Sequence, residues 1–301
     1  MDKPHLTVLV NRQGGAASAA GDALPESIVA GFATAGTTAD VRMLDGQEMA
    51  KAIKQAARQN ARIVVAGGDG TIACAAQAMA GTDTELAVLP LGTLNHFARD
   101  LAIPTDLAQA AALAANGTAR GVDVAEVSGH RFINNASIGI YPVMVEWRDS
   151  IRHRHGVPKW LASIPAAWEA LAHMRSKRLR IDRGKGDEAL VTPLLFIGNN
   201  RYSLDPWTLG SRPSLTDGKM SVYAVARSRR LSLIWFGLRA LVGKVDRMRD
   251  FEALGEMAAL DVRGSGARIE IALDGEVRHL PSPLEFRILP GALRVVAPPS
   301  K

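Results

Sequence analysis

The sequence predicts an α/β domain, a parallel sheet with helices on both faces, followed by a mainly antiparallel β domain. Three observations carry that prediction. Short apolar runs alternate with alanine-rich helical stretches as far as about Gly121. Beyond it the pattern turns into longer runs with strand-like alternation, and two of the early runs end in glycine clusters. With 301 residues the chain is long for a single core, so two domains are expected. They are read as 1–121 and 122–301, with a last strand at about 291–301 packing back on the first domain.

The elements follow in order. Leu6 to Asn11 is the first strand and begins close to Met1, which leaves no room for a signal peptide and points to a cytoplasmic chain. Thr38 to Leu44, Arg62 to Ala66 and Leu86 to Pro90 are the next strands. The helices Gln47 to Gln59, Ile72 to Ala80 and Leu107 to Ala115 lie between or after them. In the second half Val122 to Val127, Phe132 to Ile140, Leu194 to Asn199, Met220 to Ala226, Arg268 to Leu273 and Leu284 to Leu289 read as strands. Arg183 to Asp187, with two glycines, is a hairpin tip, and Asn199 to Gly218 is a long loop of the kind that often carries function.

Composition narrows the class. At 47% hydrophobic and 22% charged residues the protein is an ordinary globular one, and no apolar stretch approaches the ~20 residues of a membrane span. A single cysteine, Cys74, excludes an internal disulfide and reads as a small core residue in a reducing compartment. The net charge of +6 admits nucleic acid, an anionic membrane or a phosphate-rich substrate. Its arginines and lysines gather in the second half, from Arg148 to Lys159, from Arg175 to Arg183 and from Arg227 to Arg249. There they alternate with Trp160, Trp168, Trp235 and leucines, as in helices that lie on a membrane, although a solvated helix over a normal core gives the same pattern. No zinc-finger spacing, stacking motif or helix-turn-helix is present, which ranks nucleic acid last.

Residues Gly67-Gly68-Asp69-Gly70-Thr71 follow a strand directly and precede a helix directly. Two glycines there let the backbone turn sharply and approach a ligand, and the helix N-terminus supplies unpaired N–H groups for phosphate. An Asp inside such a loop makes chemical sense when a divalent cation, or water held by one, lies between it and phosphate. Leu91-Gly92-Thr93-Leu94-Asn95 repeats the arrangement one strand later, so both loops converge at the carboxyl edge of a parallel sheet.

These motifs, with Pro90 to Ala98, Asp217-Gly218-Lys219-Met220, Leu273-Asp274-Gly275-Glu276 and Leu289 to Val295, resemble the diacylglycerol kinase catalytic-domain family, and within it the bacterial soluble lipid kinases. The resemblance spans nearly the whole chain. It extends to sphingosine and ceramide kinases and, more distantly, to NAD kinases and phosphofructokinases, and implies their fold.

The resemblance implies that Gly67, Gly68, Asp69, Gly70 and Thr71 hold ATP, with Gly92, Thr93, Asn95 and the loop from Asn11 to Ala17 adding contacts. It implies that Asp69 and Asp123 organise magnesium and water beside the γ-phosphate, Asp69 with a catalytic part. It places a second metal site at Asp217, with carbonyls near Ser214 and Lys219; a plain Asp-Gly turn explains the same residues. Glu276 is implied as the general base that accepts the proton of the acceptor hydroxyl.

Three positions depart from the family pattern. His96 stands where an Asp is usual, Ile72-Ala73 replaces an Asn-Glu pair, and the loop from Gly198 to Arg212 lacks a glycine triplet. The implied activity is ATP- and Mg²⁺-dependent phosphorylation of diacylglycerol or a related lipid alcohol at a membrane surface, in the cytoplasm or at the inner face of the cell membrane. A kinase of a soluble alcohol such as NAD, and a sensor that binds nucleotide without turnover, are the alternatives. The oligomeric state, a homodimer included, stays open.

Overall fold

The computed structural model describes residues 5–13, 23–139, 176–184, 186–203, 211–225 and 251–299. The Arg- and Trp-rich stretches at 148–171 and 227–249 lie outside them, as do residues 14–17 of the amino-terminal loop. No helix among the described residues is long and apolar enough to cross a membrane.

The chain divides into two units. The first consists of residues 1–124, 214–218 and 289–301, the second of 125–213 and 219–288.

The first unit alternates strands and helices: β1 (His5–Asn11), α1 (Ala23–Thr34), β2 (Thr38–Leu44), α2 (Gly46–Gln59), β3 (Arg62–Gly67), α3 (Asp69–Met79), β4 (Glu85–Pro90), the short α4 (His96–Asp100), α5 (Leu107–Asn116) and the start of β5 (Ala119–Val127). The sheet order is β2-β1-β3-β4, parallel throughout. β3 and β4 are buried on both faces, which is why they read as continuous apolar runs rather than alternating ones. Val8, Val10, Val64 and Ala66 pack against Leu24, Ile28 and Phe32 of α1 and the alanines of α5. α2 and α3 pack against each other and bury Met49, Ile53, Ile72 and Met79. Arg62 locks the end of this layer: its guanidinium donates to the carbonyls of Ala114, Ala115 and Gly117 at the C-terminus of α5, and pairs with Glu85 at 2.7 Å.

In the second unit β5 pairs with β6 (His130–Phe132), and the chain runs on through β7 (Asn135–Gly139), β8 (Lys177–Asp182), β9 (Asp187–Thr192), β10 (Leu194–Asn199), β11 (Met220–Val225), β12 (Phe251–Met257), β13 (Ala259–Gly264), β14 (Arg268–Leu273), β15 (Glu276–Pro281) and β16 (Leu284–Val296). One antiparallel sheet has the order β12-β11-β10-β7-β14-β15; another joins β9, β8, β13 and the first residues of β16. Their inner faces share one core, with Ile138, Leu195, Ile197, Val222 and Ile271 from one sheet and Leu179, Ile181, Val262 and Leu284 from the other. Phe132 meets Phe286 edge to face within it at 6.4 Å. The remainder of β16 belongs to the first unit, where Val295 lies parallel to Leu86 of β4.

The architecture is the predicted one, an α/β parallel-sheet domain followed by antiparallel β structure. One strand differs from its reading. The run from Phe132 onward breaks at Ile133-Asn134, so that Phe132 pairs in one sheet and Asn135 in the other. The physical cause is a set of hydrogen bonds to those two residues, described below. Glycines serve the expected hairpin tip after β8, where Gly184 and Gly186 donate to the Asp182 carboxylate.

Candidate functional site

The first unit brings the two glycine loops into contact. A Cβ on Gly67 would lie 2.6 Å from the Thr71 side chain, and a Cβ on Gly92 would lie 2.6 Å from the Gly68 Cα. Only hydrogen fits at these places: Gly67 makes room for Thr71, and at Gly68 and Gly92 the loops touch backbone to backbone. Gly68 heads α3 without a side chain to cap it, and its carbonyl takes the N–H groups of Thr71 and Ile72. The first N–H groups of the helix, Asp69 and Gly70, then face outward, as a helix start leaves them. Gly70 is exposed and Asp69 half-buried.

Three of the predicted nucleotide residues, Asn11, Thr71 and Asn95, hold the loops through their side chains. Asn11 donates from Nδ2 to the Thr71 hydroxyl at 2.9 Å and accepts the Gln13 N–H on Oδ1. Asn95, left-handed at φ 50°, accepts the Gly92 N–H at 2.9 Å and donates back to the Gly92 carbonyl at 2.8 Å. That closes the second loop into a ring of hydrogen bonds and buries Asn95. Thr93 and His96 are exposed beside it.

Asp123 is almost fully buried in β5 and works as a pin. One oxygen accepts the Gly218 N–H at 2.7 Å, the other the Gly291 N–H at 2.9 Å, while its own N–H donates to the Leu215 carbonyl. The segment Ser214–Gly218 is thereby tied into the first unit, with Asp217 exposed at its end. Lys219, the next residue, is exposed and belongs to the second unit. No group of three His, Cys, Asp or Glu that could hold a metal ion occurs among the described residues, so at Asp69 and Asp123, or at Asp217, a metal shell would be completed by carbonyls, phosphate or water. The glycine contact and the open helix start suit a phosphate group; the carboxylates do not by themselves make a metal cage.

Glu276 opens β15 in the second unit. It follows the two-residue turn Asp274-Gly275, with φ of 46° and 87°, which closes the β14–β15 hairpin as an Asp-Gly sequence does in a primed turn. Its side chain is mainly exposed and is held by Arg278 at 3.2 Å.

Asp274 itself was visible in the sequence only as a turn residue. Its carboxyl group points inward and accepts three successive backbone N–H groups, of Ile133 at 2.9 Å, Asn134 at 2.8 Å and Asn135 at 3.1 Å. Burial pushes this carboxyl up to about 6, against the three N–H groups and Arg212, which pull it down. Arg212, buried, donates from Nη1 to the Ile133 carbonyl and from Nη2 to Asn134 Oδ1 at 2.9 Å, and lies 5.5 Å from the centre of the Tyr202 ring. Asn199 adds a bond from Nδ2 to the same Ile133 carbonyl at 3.0 Å. Neither Arg212 nor Asn199 carries a sequence signal beyond lying at the ends of a long loop.

Comparison with known proteins places this geometry. Residues 5–127 match the diacylglycerol kinase catalytic domain. A diacylglycerol kinase of Bacillus subtilis is 30% identical over 257 residues, covering 83% of this chain and 82% of that protein. A probable YegS-like lipid kinase of Pseudomonas aeruginosa is 30% identical over 241 residues, with 79% and 77% covered. An uncharacterized Synechocystis protein is 25% identical over 276 residues; the match takes in 87% of this chain and 62% of that one. In fold, a diacylglycerol kinase structure from Bacillus anthracis superposes with a TM-score of 0.68 at 20% identity, covering 99% of this chain and 98% of the other. Yeast NADH kinase gives 0.51 at 10% identity, covering 100% and 85%.

Proposed function

The chain belongs to the diacylglycerol kinase catalytic-domain family of lipid kinases, and on that premise we propose that it transfers the γ-phosphoryl group of ATP to a hydroxyl of diacylglycerol or a related lipid alcohol. The observation that carries the reading is the backbone contact of the two glycine loops at the open start of α3. Bound there, ATP supplies the phosphoryl group and the charge that the cradle is built to meet.

Each residue then has a task. The N–H groups of Asp69 and Gly70 donate to phosphate oxygens, and Gly67, Gly68 and Gly92 leave the room for that approach. Asn11 orients Thr71, and Asn95 holds the Gly92-Thr93 turn beside it. Asp123 fixes the loop that presents Asp217. Asp69 and Asp217 are the accessible carboxylates that would hold magnesium, with Ser214 and Lys219 next to Asp217, and the metal would neutralise phosphate charge there. Glu276 orients the acceptor hydroxyl and receives its proton late, because phosphoryl transfer needs position and charge neutralisation more than a strong base. On this reading the enzyme works from the cytoplasm on lipid at a membrane surface.

The test is transfer of labelled phosphate from ATP with Mg²⁺ to diacylglycerol, monoacylglycerol, ceramide and sphingosine in mixed micelles. A labelled lipid, absent with Glu276→Ala, is the expected result. Transfer only to NAD or another soluble alcohol, or ATP binding with no transfer to any acceptor, would overturn the lipid assignment.

A further inference from the structure

Among the described residues the Glu276 side chain pairs with Arg278, two residues along its own strand, so its place is set by the backbone turn before it. That turn could be made by Asn-Gly or Gly-Gly without burying a charge. Here it is made with a carboxylate taken out of water, which costs free energy unless the group is bonded and, even then, gains nothing for the turn itself. The bonds it makes reach out of the hairpin, to the connection between β6 and β7.

We infer that Asp274 is a positioning residue for Glu276, and that Arg212 ties the loop from Asn199 to Arg212 to the same turn. The two charges grip one peptide group from opposite edges. The Ile133–Asn134 peptide gives its N–H to Asp274 and receives Arg212 and Asn199 on its carbonyl. Asn134 closes the circuit with its side chain on Arg212. The hairpin tip, the break between β6 and β7, and both ends of the 199–212 loop are therefore fixed by one network within the second unit. This rests on the reading of Glu276 as base: a residue that must lie within hydrogen-bond reach of a hydroxyl loses about 10²-fold for a misplacement near 1 Å.

The deciding experiment is a double-mutant cycle at pH 8, where Asp274 is ionised, using phosphoryl transfer from ATP to diacylglycerol by the full chain. Asp274→Asn keeps the turn but faces an amide N–H₂ toward backbone N–H groups. It is expected to lower kcat about 10- to 10²-fold with KM for ATP unchanged. Added to Glu276→Ala it is expected to cost nothing more, since the base it positions is already gone. Losses that add in the double variant, or full turnover by Asp274→Asn, would overturn the inference and leave the kinase reading standing. Full turnover by Glu276→Ala would instead remove the base assignment and the positioning role with it. A second readout does not depend on activity: the amides of Ile133, Asn134, Asn135 and Glu276 exchange faster in Asp274→Asn if the network holds the tip, and at the wild-type rate if it does not. If that variant fails to fold, Arg212→Gln opens the same network from its other side and takes its place in the cycle.

Discussion

The two halves of the candidate chemistry are held in opposite ways. In the first unit the glycine loops are kept by what is missing: side chains absent at Gly68 and Gly92 let backbone meet backbone, and Gly67 leaves room for Thr71. In the second unit the tip that carries Glu276 is kept by what is present, a buried carboxylate and a buried guanidinium sharing one peptide. Such designs fail differently. An added methyl should ruin the first, and a removed atom the second.

The largest expected effect lies at the tip. Glu276→Ala should reduce kcat by about 10²-fold or more. Because the residue is mainly exposed, the unfolding free energy should change by no more than about 0.5 kcal/mol. Turnover equal to the wild type would break the comparison at its functional end.

Next comes the buried carboxylate that supports it. Asp274 has a folded value near 6 against an ordinary 3.8, so the folded state keeps a proton that the unfolded chain has lost. That stabilisation is complete below 3.8 and disappears as pH rises through 6, about 3 kcal/mol in all. Urea midpoints of the wild type measured against Asp274→Asn should therefore favour the wild type progressively more as pH falls from 7 to 4. A difference independent of pH would mean that the carboxyl group is not buried as described.

The crowding side of the comparison is sharpened by two alanines. Gly92→Ala places a Cβ 2.6 Å from both the Gly68 Cα and Asn95 Oδ1, and should cost about 1–3 kcal/mol together with nucleotide affinity. Gly70→Ala, where nothing lies within 4 Å, should leave stability unchanged or raise it by up to about 1 kcal/mol. Thermal melts with and without ATP separate them. The smallest effect is expected where neither crowding nor burial applies. Arg180 faces Arg263 directly across β8 and β13, exposed, so Arg180→Thr should stabilise by a few tenths of a kcal/mol at low salt and less at high salt.

How far each region was legible follows from the same contrast. The glycine loops are local, one strand end and the next few residues, and Gly67 to Thr71 announced themselves. The strands Thr38–Leu44, Leu194–Asn199 and Arg268–Leu273 likewise stand where apolar patterning put them. The break at Ile133-Asn134 could not be seen, because its cause, Asp274, lies 141 residues away in sequence. Asn11 and Asn95 were read as nucleotide contacts, and only three-dimensional hydrogen bonding reveals that their amides are committed to Thr71 and Gly92. Helix α1, with its Leu24, Ile28 and Phe32 stripe, has a weak sequence signal, since alanines and a proline interrupt its apolar face.

The pairing of Val295 with Leu86 has a consequence for synthesis on the ribosome. When residues 1–124 have emerged, β4 presents the β16 side of its backbone unpaired, and the strand that covers it follows the whole of the second unit. Asp123 waits for the amide of Gly218 and, almost as long as β4 waits, for that of Gly291. A nascent or carboxy-terminally shortened chain would carry an apolar open edge of the kind that recruits other chains. Fusion partners and affinity tags are therefore safer when β16 is left whole.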